Sequence, residues 1–243
     1  LGFTFAKATL SEDELKAKLK EISKEVKVGK KQAKRILTNV NLSVPKGDMI
    51  AIMGKSGAGK TTLLNIIGLV DSFSSGEYKF QNILIKPGEN DNYKLRGKRI
   101  GMITQNYSLI ESYTVQENLE VPLDFCCSDL SRKEKKERIF YALKQVEMQN
   151  KEKQRVMTLS GGEKQRTAIA RALTTHPEVL IADEPTGALD SGNSKNIMNI
   201  LQNLNEQGMT IILVTHDLEI AQRCKRIVYI KDGMLEDIIE KQV

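Results

Sequence analysis

The chain has 243 residues, of which 40% are hydrophobic and 28% are charged, with a formal net charge of +6. This supply of apolar side chains is enough to build a buried core, which excludes a disordered chain. No apolar stretch approaches the roughly 20 residues that a membrane-spanning helix needs, so the chain is not expected to cross a bilayer.

The cysteine pattern indicates the redox compartment of the protein, and the first residue indicates whether the chain was processed. Cys126 and Cys127 are adjacent and Cys224 is distant, a pattern that builds neither a disulfide framework nor a metal site. We therefore expect a reducing compartment. No secretion signal opens the chain, and Leu1 is not an initiator methionine, so we interpret the start as trimmed or processed.

A lysine-rich segment lies near the beginning of the chain. Nine of the 20 residues from Lys16 to Arg35 are basic. Such a segment could attract nucleic acid or anionic lipid headgroups, or it could be a solvated edge of the fold. We favour the solvated edge because the segment lacks the interleaved aromatic residues that stack on bases.

Short apolar runs rich in β-branched residues predict buried strands, and they alternate with helical segments. Such alternation is typical of a parallel sheet with helices on both faces. The predicted strands are Met49–Met53, Ile100–Thr104, Val179–Ala182, Thr210–Val214 and Ile227–Ile230, and the predicted helices are Lys60–Leu69, Glu163–Thr174 and Gly192–Asn205. No repeat or long linker divides the chain, so we expect a single domain over residues 1–243.

A glycine-rich loop between the first of these strands and the first helix predicts a phosphate site. Glycines let successive N–H groups converge on phosphate oxygens, and the start of the helix adds its positive dipole end. Lys60 is expected on the β- and γ-phosphates, Thr61 on Mg²⁺, and Thr62 on another phosphate. The loop consists of Gly54, Lys55, Ser56, Gly57, Ala58, Gly59, Lys60 and Thr61.

The segment from Tyr107 to Met157 interrupts the alternation and predicts a helical insertion. One helix is expected after Thr114 and another after Ser131, because each is followed three residues later by a glutamate that can complete a capping box. In the second helix Ile139, Leu143 and Val146 recur at helical spacing, which predicts that one face packs on the domain.

A second anion site is predicted after this insertion. Ser160 and Glu163, three residues later, can form a capping box, which is a purely structural role. The two consecutive glycines between them also expose bare N–H groups at a helix start, which suits an anion. Because the first loop already holds one side of a triphosphate, a second phosphate-reading helix end suggests that nucleotide is enclosed between two copies. The five residues are Leu159, Ser160, Gly161, Gly162 and Glu163.

The strand Val179–Ala182 leads directly into two carboxylates. Asp183 and Glu184 are expected at the carboxyl end of the sheet, where such folds bind ligands. Asp183 suits the coordination shell of Mg²⁺, and Glu184 is placed to orient or deprotonate an attacking water.

With His216 after the strand Thr210–Val214, these motifs in this order and spacing resemble the nucleotide-binding domain of an ABC transporter ATPase. The resemblance covers nearly the whole chain. It implies a P-loop NTPase fold of the α/β class: a mostly parallel sheet flanked by helices, an antiparallel β portion near the N-terminus, and a helical subdomain inserted at about residues 107–172.

The resemblance also implies roles that the residues alone do not establish. Gln105 would contact Mg²⁺ and relay the nucleotide state to the helical subdomain, and His216 would contact the γ-phosphate. Asp190 would lie in the loop that crosses to the opposite copy, although a helix cap explains it equally well without the family context. The metal set is then Thr61, Gln105 and Asp183, with Lys60, Glu184 and His216 in catalysis.

One position departs from the family pattern. The family normally has an aromatic residue that stacks on adenine near the first strand, and the position that fits best holds Val26. We keep ATP as the expected nucleotide and Val26 as an apolar contact to its base. His176 matches no motif and is interpreted as a surface turn residue before Pro177.

Three phrases narrow the resemblance to the macrolide-efflux, lipoprotein-release and antimicrobial-peptide-resistance group: Ala182–Asp190, Gly68–Asp71, and Thr114–Asn118 followed by Val121–Leu123. A DNA-repair or chromosome ATPase would need hundreds of coiled-coil residues between Gly54 and Leu159, which are only 105 positions apart. A translation-associated ABC protein would have two cassettes. A regulator of the cell-division type stays open as an alternative.

The expected function is therefore an ATPase subunit that dimerises around Mg·ATP and powers an integral-membrane permease. Its substrate would be a peptide, lipoprotein or antibiotic that is exported or extracted. The expected place is the cytoplasmic face of the membrane, as a peripheral subunit, and nucleic acid is not an expected partner.

Overall fold

A computed structural model describes residues 15–28, 32–88 and 92–240. A four-stranded antiparallel sheet is formed near the N-terminus, in the order β2 (Gln32–Pro45), β1 (Leu15–Val28), β4 (Ser75–Phe80) and β5 (Ile83–Ile85). A six-stranded sheet follows the order β10 (Met234–Glu240), β9 (Arg226–Lys231), β3 (Met49–Met53), β8 (Thr210–Val214), β7 (Val179–Asp183) and β6 (Ile100–Ile103).

The six-stranded sheet is parallel from β9 to β6, and only β10 runs antiparallel to its neighbour. The helices of the described ranges are α1 (Lys60–Ile67), α2 (Tyr93–Arg99), α3 (Val115–Cys126), α4 (Arg132–Gln145), α5 (Gly161–Leu173), α6 (Ser191–Glu206) and α7 (Leu218–Gln222). Single turns of 3₁₀-helix occupy Gln149–Lys151 and Val156–Thr158. The predicted fold class, with its antiparallel portion and its mostly parallel sheet, is confirmed.

The core lies on both faces of the six-stranded sheet. Along β3 the side chain of Ala51 belongs to the hydrophobic cluster on one face, whereas Ile50 and Ile52 belong to the cluster on the other. Successive strand residues point to opposite faces, so a sheet covered twice needs apolar residues at every position. This is why β3, β7 and β8 could be recognised as unbroken apolar runs.

The helical insertion forms as expected and packs against α5. Thr114 and Ser131 cap α3 and α4 through reciprocal bonds with Glu117 and Glu134. The predicted apolar face of α4 is buried, with Ile139 at 3% exposure. Pro122 lies within α3 and does not end that helix.

Several elements were not predicted one by one from the residues: β1, β2, β4, β5, β10 and α2. The lysine-rich segment, interpreted as a solvated edge, falls on β1 and β2, and its residues 29–31 lie outside the described ranges. Lys16 and Lys24 are largely covered, with side-chain exposures of 13% and 12%, and form ion pairs with Glu178 and Asp71. Ala17, Leu19 and Ile22 of β1 enter the core. The two lysines are covered because their ion-pair partners hold them against neighbouring segments of the fold.

Other boundaries shift by one or two residues. Helix α5 begins at Gly161 because Ser160 caps it. Helix α1 ends at Ile67 and is followed by Gly68, whose N–H donates to the carbonyl oxygen of Leu64. No helix within the described ranges combines the length and the apolar composition that crossing a bilayer requires.

Candidate nucleotide site

The glycine-rich loop connects β3 to α1 at the carboxyl end of the parallel sheet. Gly59 caps α1 with φ of +100°, and a side chain there would lie 2.8 Å from the Cδ2 atom of Leu37. At Gly54 a Cβ atom would lie 2.2 Å from the carbonyl oxygen of Ile230. Only glycine fits these two positions, which lets the loop approach β2 and β9 closely. Backbone N–H groups of such a loop at a helix start suit the binding of phosphate.

The side chain of Lys60 reaches back over this loop. Its Nζ atom donates to the carbonyl oxygens of Gly54, at 2.8 Å, and of Lys55, at 2.9 Å. The ammonium is therefore fixed above the loop, where it adds positive charge to the converging N–H groups and to the dipole of α1.

Thr61 and Asp183 form the next part of the site. The Thr61 hydroxyl donates to Asp183 Oδ2 across 3.3 Å, which joins the start of α1 to the end of β7. Burial raises the pKa of Asp183, while the bond from Thr61 and the charge of Lys60 act in the opposite direction. Gln105, two residues after β6, lines the same cavity as Thr61 and Asp183.

These oxygen donors fit Mg²⁺. The ion prefers oxygen ligands and is commonly held by one or two carboxylates together with substrate phosphates and water. The described ranges contain no group of three or more His, Cys, Asp and Glu side chains that could hold a metal ion by themselves. A magnesium ion here would depend on the phosphates of a bound nucleotide as well as on Thr61, Asp183 and Gln105.

Glu184 and His216 form a hydrogen-bonded pair at the ends of β7 and β8. His216 Nδ1 lies 2.9 Å from Glu184 Oε1 and 3.0 Å from Oε2. The bond to Glu184 and its negative charge raise the pKa of His216. Glu184 has a φ of +49° and donates its N–H to the carbonyl oxygen of Val214 at 3.0 Å. The left-handed backbone costs about 1 kcal/mol or more and is held by this bond between the strands.

The phosphate loop, the carboxylates and the histidine share one cavity of about 560 Å³. Three of its lining residues were not predicted from the sequence: Lys34, Ile36 and Val214. The two on β2 carry no motif signal, because a strand of another sheet brings them beside the loop. The full lining consists of Lys34, Ile36, Gly54, Ser56, Gly57, Gly59, Lys60, Thr61, Thr62, Gln105, Asp183, Glu184, Val214 and His216.

Three predicted nucleotide contacts lie elsewhere. Lys55 and Ala58 line a neighbouring cavity that shares Gly54, Ser56 and Gly57 with the main one. Val26 is 43% exposed and is not among the residues that line the main cavity, but it pairs across the strands with Lys34, which does. The contact of Val26 with a base stays a prediction.

The motif Leu159 to Glu163 lies outside this cavity. Ser160 accepts a bond from the N–H of Glu163 and Glu163 accepts from the N–H of Ser160, so the capping box is formed. Glu163 also accepts from Lys151, and these bonds lower its pKa. Gly161 is exposed at the helix start and Gly162 is buried. Within one chain the motif and the phosphate loop are separate.

Asp190 caps α6, and its place in a loop that crosses to an opposite copy stays a prediction. Its Oδ1 atom accepts from the N–H of Asn193 at 2.9 Å, and its Oδ2 atom accepts from the Asn193 side chain at 2.6 Å. The Asn193 amide covers Gly162, where a Cβ atom would lie 2.3 Å from Asn193 Oδ1. The segment after Glu184 is thereby attached to the helix that carries the second motif.

A further cavity of about 810 Å³ adjoins the Glu184–His216 pair and was not predicted. It lies between the start of α6 and the start of α7, where Asp217 caps the helix. Leu189 and Arg223 lie on its walls.

The chain is similar to known proteins both in sequence and in structure. The family model for ABC transporters matches residues 37–187. The uncharacterized ABC transporter ATP-binding protein YvrO of Bacillus subtilis is 41% identical over 218 residues, which is 89% of this chain and 94% of that protein. MJ0796 of Methanocaldococcus jannaschii, with the same description, is 42% identical over 223 residues, or 90% and 94% of the two chains.

A longer relative is the macrolide export ATP-binding/permease protein MacB of Campylobacter jejuni, 44% identical over 208 residues. These cover 85% of this chain but only 32% of that protein. Among solved structures, the dimeric post-hydrolysis state of the ATP-binding cassette MJ0796 with ADP and Pi has a TM-score of 0.83 at 40% identity. It covers 92% of this chain and 98% of the other. The chain belongs to the ABC transporter family.

Proposed function

We propose that this chain is an ATPase subunit that encloses Mg·ATP between two cassettes and powers an integral-membrane partner. The observation that carries the proposal is the single cavity in which the phosphate loop, Lys60, Asp183 and the Glu184–His216 pair face one another. Each of these groups suits one part of a phosphoryl transfer to water.

The geometry of the cavity supports one role for each of these groups. The loop N–H groups and Lys60 bind the triphosphate and stabilise the charge that develops on the transferring group. Glu184 positions water for attack on the γ-phosphorus, and His216 holds the carboxylate through Nδ1 at 2.9 Å. The bond from the γ-phosphorus to the bridging oxygen breaks, which leaves ADP and inorganic phosphate.

Mg²⁺, held by Thr61, Asp183 and Gln105 together with the phosphates, would neutralise negative charge on the β- and γ-oxygens. The Thr61–Asp183 bond keeps the two oxygen donors together before the ion binds. Gln105 joins this site to the helical insertion that begins two residues later.

A second copy completes the site. The motif Leu159 to Glu163 presents a helix start that does not face the cavity of its own chain, so it is available to the nucleotide of a partner. The solved MJ0796 cassettes are described as dimeric, and one is bound to ADP and Pi. These descriptions support the same arrangement here.

Our inferences about the membrane partner and the direction of transport are based on the relatives. The MacB relatives are named as macrolide export ATP-binding/permease proteins, and this chain spans about a third of their length. We infer that the chain acts at the cytoplasmic face of the membrane on a permease of that kind, exporting or extracting a peptide, lipoprotein or antibiotic.

The test is a comparison of the unmodified chain with Glu184→Gln. Phosphate release and light-scattering mass are measured with and without Mg·ATP. We expect Glu184→Gln to lose at least 100-fold in phosphate release and to form an ATP-dependent dimer, because the change removes the carboxylate and leaves the phosphate contacts.

Glu206→Gln, at the exposed end of α6, is the matched control and should hydrolyse ATP at the unmodified rate. A Glu184→Gln chain with unmodified turnover would refute the assignment of Glu184. Copurification of the tagged chain with an integral-membrane protein from native membranes, and stimulation of its ATPase activity by that protein, tests the transport part of the proposal.

A further inference from the structure

Lys34 is a cation in the nucleotide cavity that no phosphate-binding motif contains. It lies on β2, is exposed, and lines the cavity together with Ile36. Among the described residues, no carboxylate forms an ion pair with its ammonium. An exposed ammonium without an ion pair, at the wall of a ligand cavity, is available to the ligand.

The position of β2 indicates which part of the nucleotide it faces. The Ile36 carbonyl oxygen lies 3.1 Å, and Leu37 Cδ2 lies 2.8 Å, from where a Cβ atom of Gly59 would be. Strand β2 therefore touches the phosphate loop from the antiparallel sheet. Glu184 and His216, which act on the γ-phosphate, are carried by the parallel sheet. The nucleoside is the part of the ligand left for β2 and its neighbours.

The wall on this side holds no aromatic ring. None of the described residues that line the cavity is Phe, Tyr or Trp. Val26 pairs with Lys34 across β1 and β2, and directly opposed residues of an antiparallel pair point to the same face. Ile36 lies at an irregularity of this pairing, but it lines the cavity together with Lys34. Val26, Lys34 and Ile36 are therefore taken as one strip, with two apolar side chains around a donor. We name it the β2 strip.

A donor of this kind distinguishes purine bases. Guanine presents two acceptors on one edge, N7 and O6, whereas adenine presents the acceptor N7 and the donor N6–H₂. A lysine ammonium complements both guanine atoms and only one adenine atom. Stacking on an aromatic ring, which accepts any base, would hide this difference, but the β2 strip lacks such a ring.

We propose that Lys34 is a specificity-determining residue that donates to the N7 and O6 edge of a purine, so that this cassette binds GTP at least as tightly as ATP. The inference rests on the proposed nucleotide site and assigns its base preference. Val26 and Ile36 supply apolar contact to the face of the base.

The test is calorimetric titration of the full chain with ATP, GTP and inorganic tripolyphosphate in EDTA, which prevents turnover. We expect the Kd for GTP to equal or fall below that for ATP. Lys34→Gln should raise the Kd for GTP about tenfold and the Kd for ATP by about threefold or less. It should leave the Kd for tripolyphosphate unchanged. Lys20→Gln, on the exposed part of β1 and outside the cavity, is the control and should change none of the three.

Three outcomes would overturn the inference: ATP bound tenfold more tightly than GTP, equal weakening of all three ligands by Lys34→Gln, or the same effect from Lys20→Gln. Equal weakening would place Lys34 on the phosphates instead of the base. If none of the three ligands binds, the nucleotide site itself is refuted. That outcome is distinct from a failure of the base preference alone. The melting temperature of Lys34→Gln, measured beside the unmodified chain, verifies that the variant folds.

Discussion

Glu184 and His216 follow the neighbouring strands β7 and β8, and a hydrogen bond joins their side chains. The bond becomes an ion pair when His216 is protonated. Glu184 is largely covered, with 15% of its side chain exposed, whereas His216 is 73% exposed. A protonated His216 donates from Nδ1 to the carboxylate and leaves its other ring nitrogen towards solvent and ligand.

The chain has two histidines, and their surroundings shift their pKa values in opposite directions. The bond and charge of Glu184 raise the pKa of His216, whereas burial and the charge of Arg138 lower that of His176. We expect the His216 ring to titrate at a higher pH than the His176 ring in an NMR titration. Glu184→Gln should lower the His216 midpoint and leave His176 unchanged. An unchanged His216 midpoint would show that the pair is not formed in solution.

At the scale of elements, three helices begin with the same capping box, and only one of them carries a predicted ligand contact. Ser131 caps α4 and Ser160 caps α5, each by accepting from the N–H of a glutamate three residues later. The two caps are therefore equivalent in local structure and differ only in what the helix start faces.

This equivalence allows stability and function to be separated. Ser160→Ala and Ser131→Ala should each lower the free energy of unfolding by about 1 kcal/mol, as expected for loss of a cap, in urea titrations. Only Ser160→Ala should also reduce ATP hydrolysis, by about tenfold or more, because in the proposed dimer it alone removes a group from the partner's nucleotide. Equal activity in the two variants would mean that Ser160 is a cap and nothing else.

The two glycines after Ser160 provide a second matched pair. A methyl group at Gly162 would lie 2.3 Å from Asn193 Oδ1, whereas at Gly161 the nearest atoms are 3.5 Å away. Gly162→Ala should displace the Asn193 side chain from Asp190 and lower the free energy of unfolding by about 1 kcal/mol. Gly161→Ala should be neutral or stabilising by up to about 1 kcal/mol.

A double-mutant cycle tests the cause of the difference between the glycines. If Asn193 is the obstacle, Gly162→Ala should cost little in a chain that already carries Asn193→Ala, so the two effects are not additive. Additive effects would show that the clash lies elsewhere in the α5–α6 contact.

At the scale of the whole molecule, Glu178 ties the antiparallel sheet to the parallel sheet. It precedes β7 and accepts from Lys16 of β1, from Gln81 between β4 and β5, and from Arg99 at the end of α2. Its own N–H donates to the Arg99 carbonyl oxygen at 2.9 Å. Burial opposes the charge of Glu178, but the bonds from Lys16 and Arg99 outweigh it and lower its pKa.

A lowered pKa means that the folded state holds the ionised form more strongly than the unfolded state does. The stabilisation is therefore present above the unfolded pKa of about 4.3 and is lost as the pH falls through the folded value. Glu178→Gln should cost about 1 kcal/mol in urea unfolding at pH 7, a modest figure because the cluster is partly exposed. The difference from the unmodified chain should shrink below about pH 4.

The exposed pair of Lys133 and Glu137 on α4 supplies the control. Its side chains are 87% and 65% exposed, so Glu137→Gln should change stability by less than about 0.5 kcal/mol at either pH. An equal loss in the two variants, or a Glu178→Gln effect that persists in acid, would contradict the role of Glu178 as a charged tie between the sheets.

The sequence by itself determined the local elements whose physics is local. An apolar run before a glycine-rich loop, a serine three residues before a glutamate, and a strand that ends in two carboxylates each form through neighbouring residues, so β3, α5 and β7 could be predicted closely. The tertiary structure alone decided which distant residues share a surface. Lys16 and Lys24 of β1 became largely covered because their ion-pair partners lie on distant segments of the chain. Lys34 entered the nucleotide cavity because β2 packs against Gly59. Nothing in the local sequence records such contacts, since they depend on how two sheets approach each other.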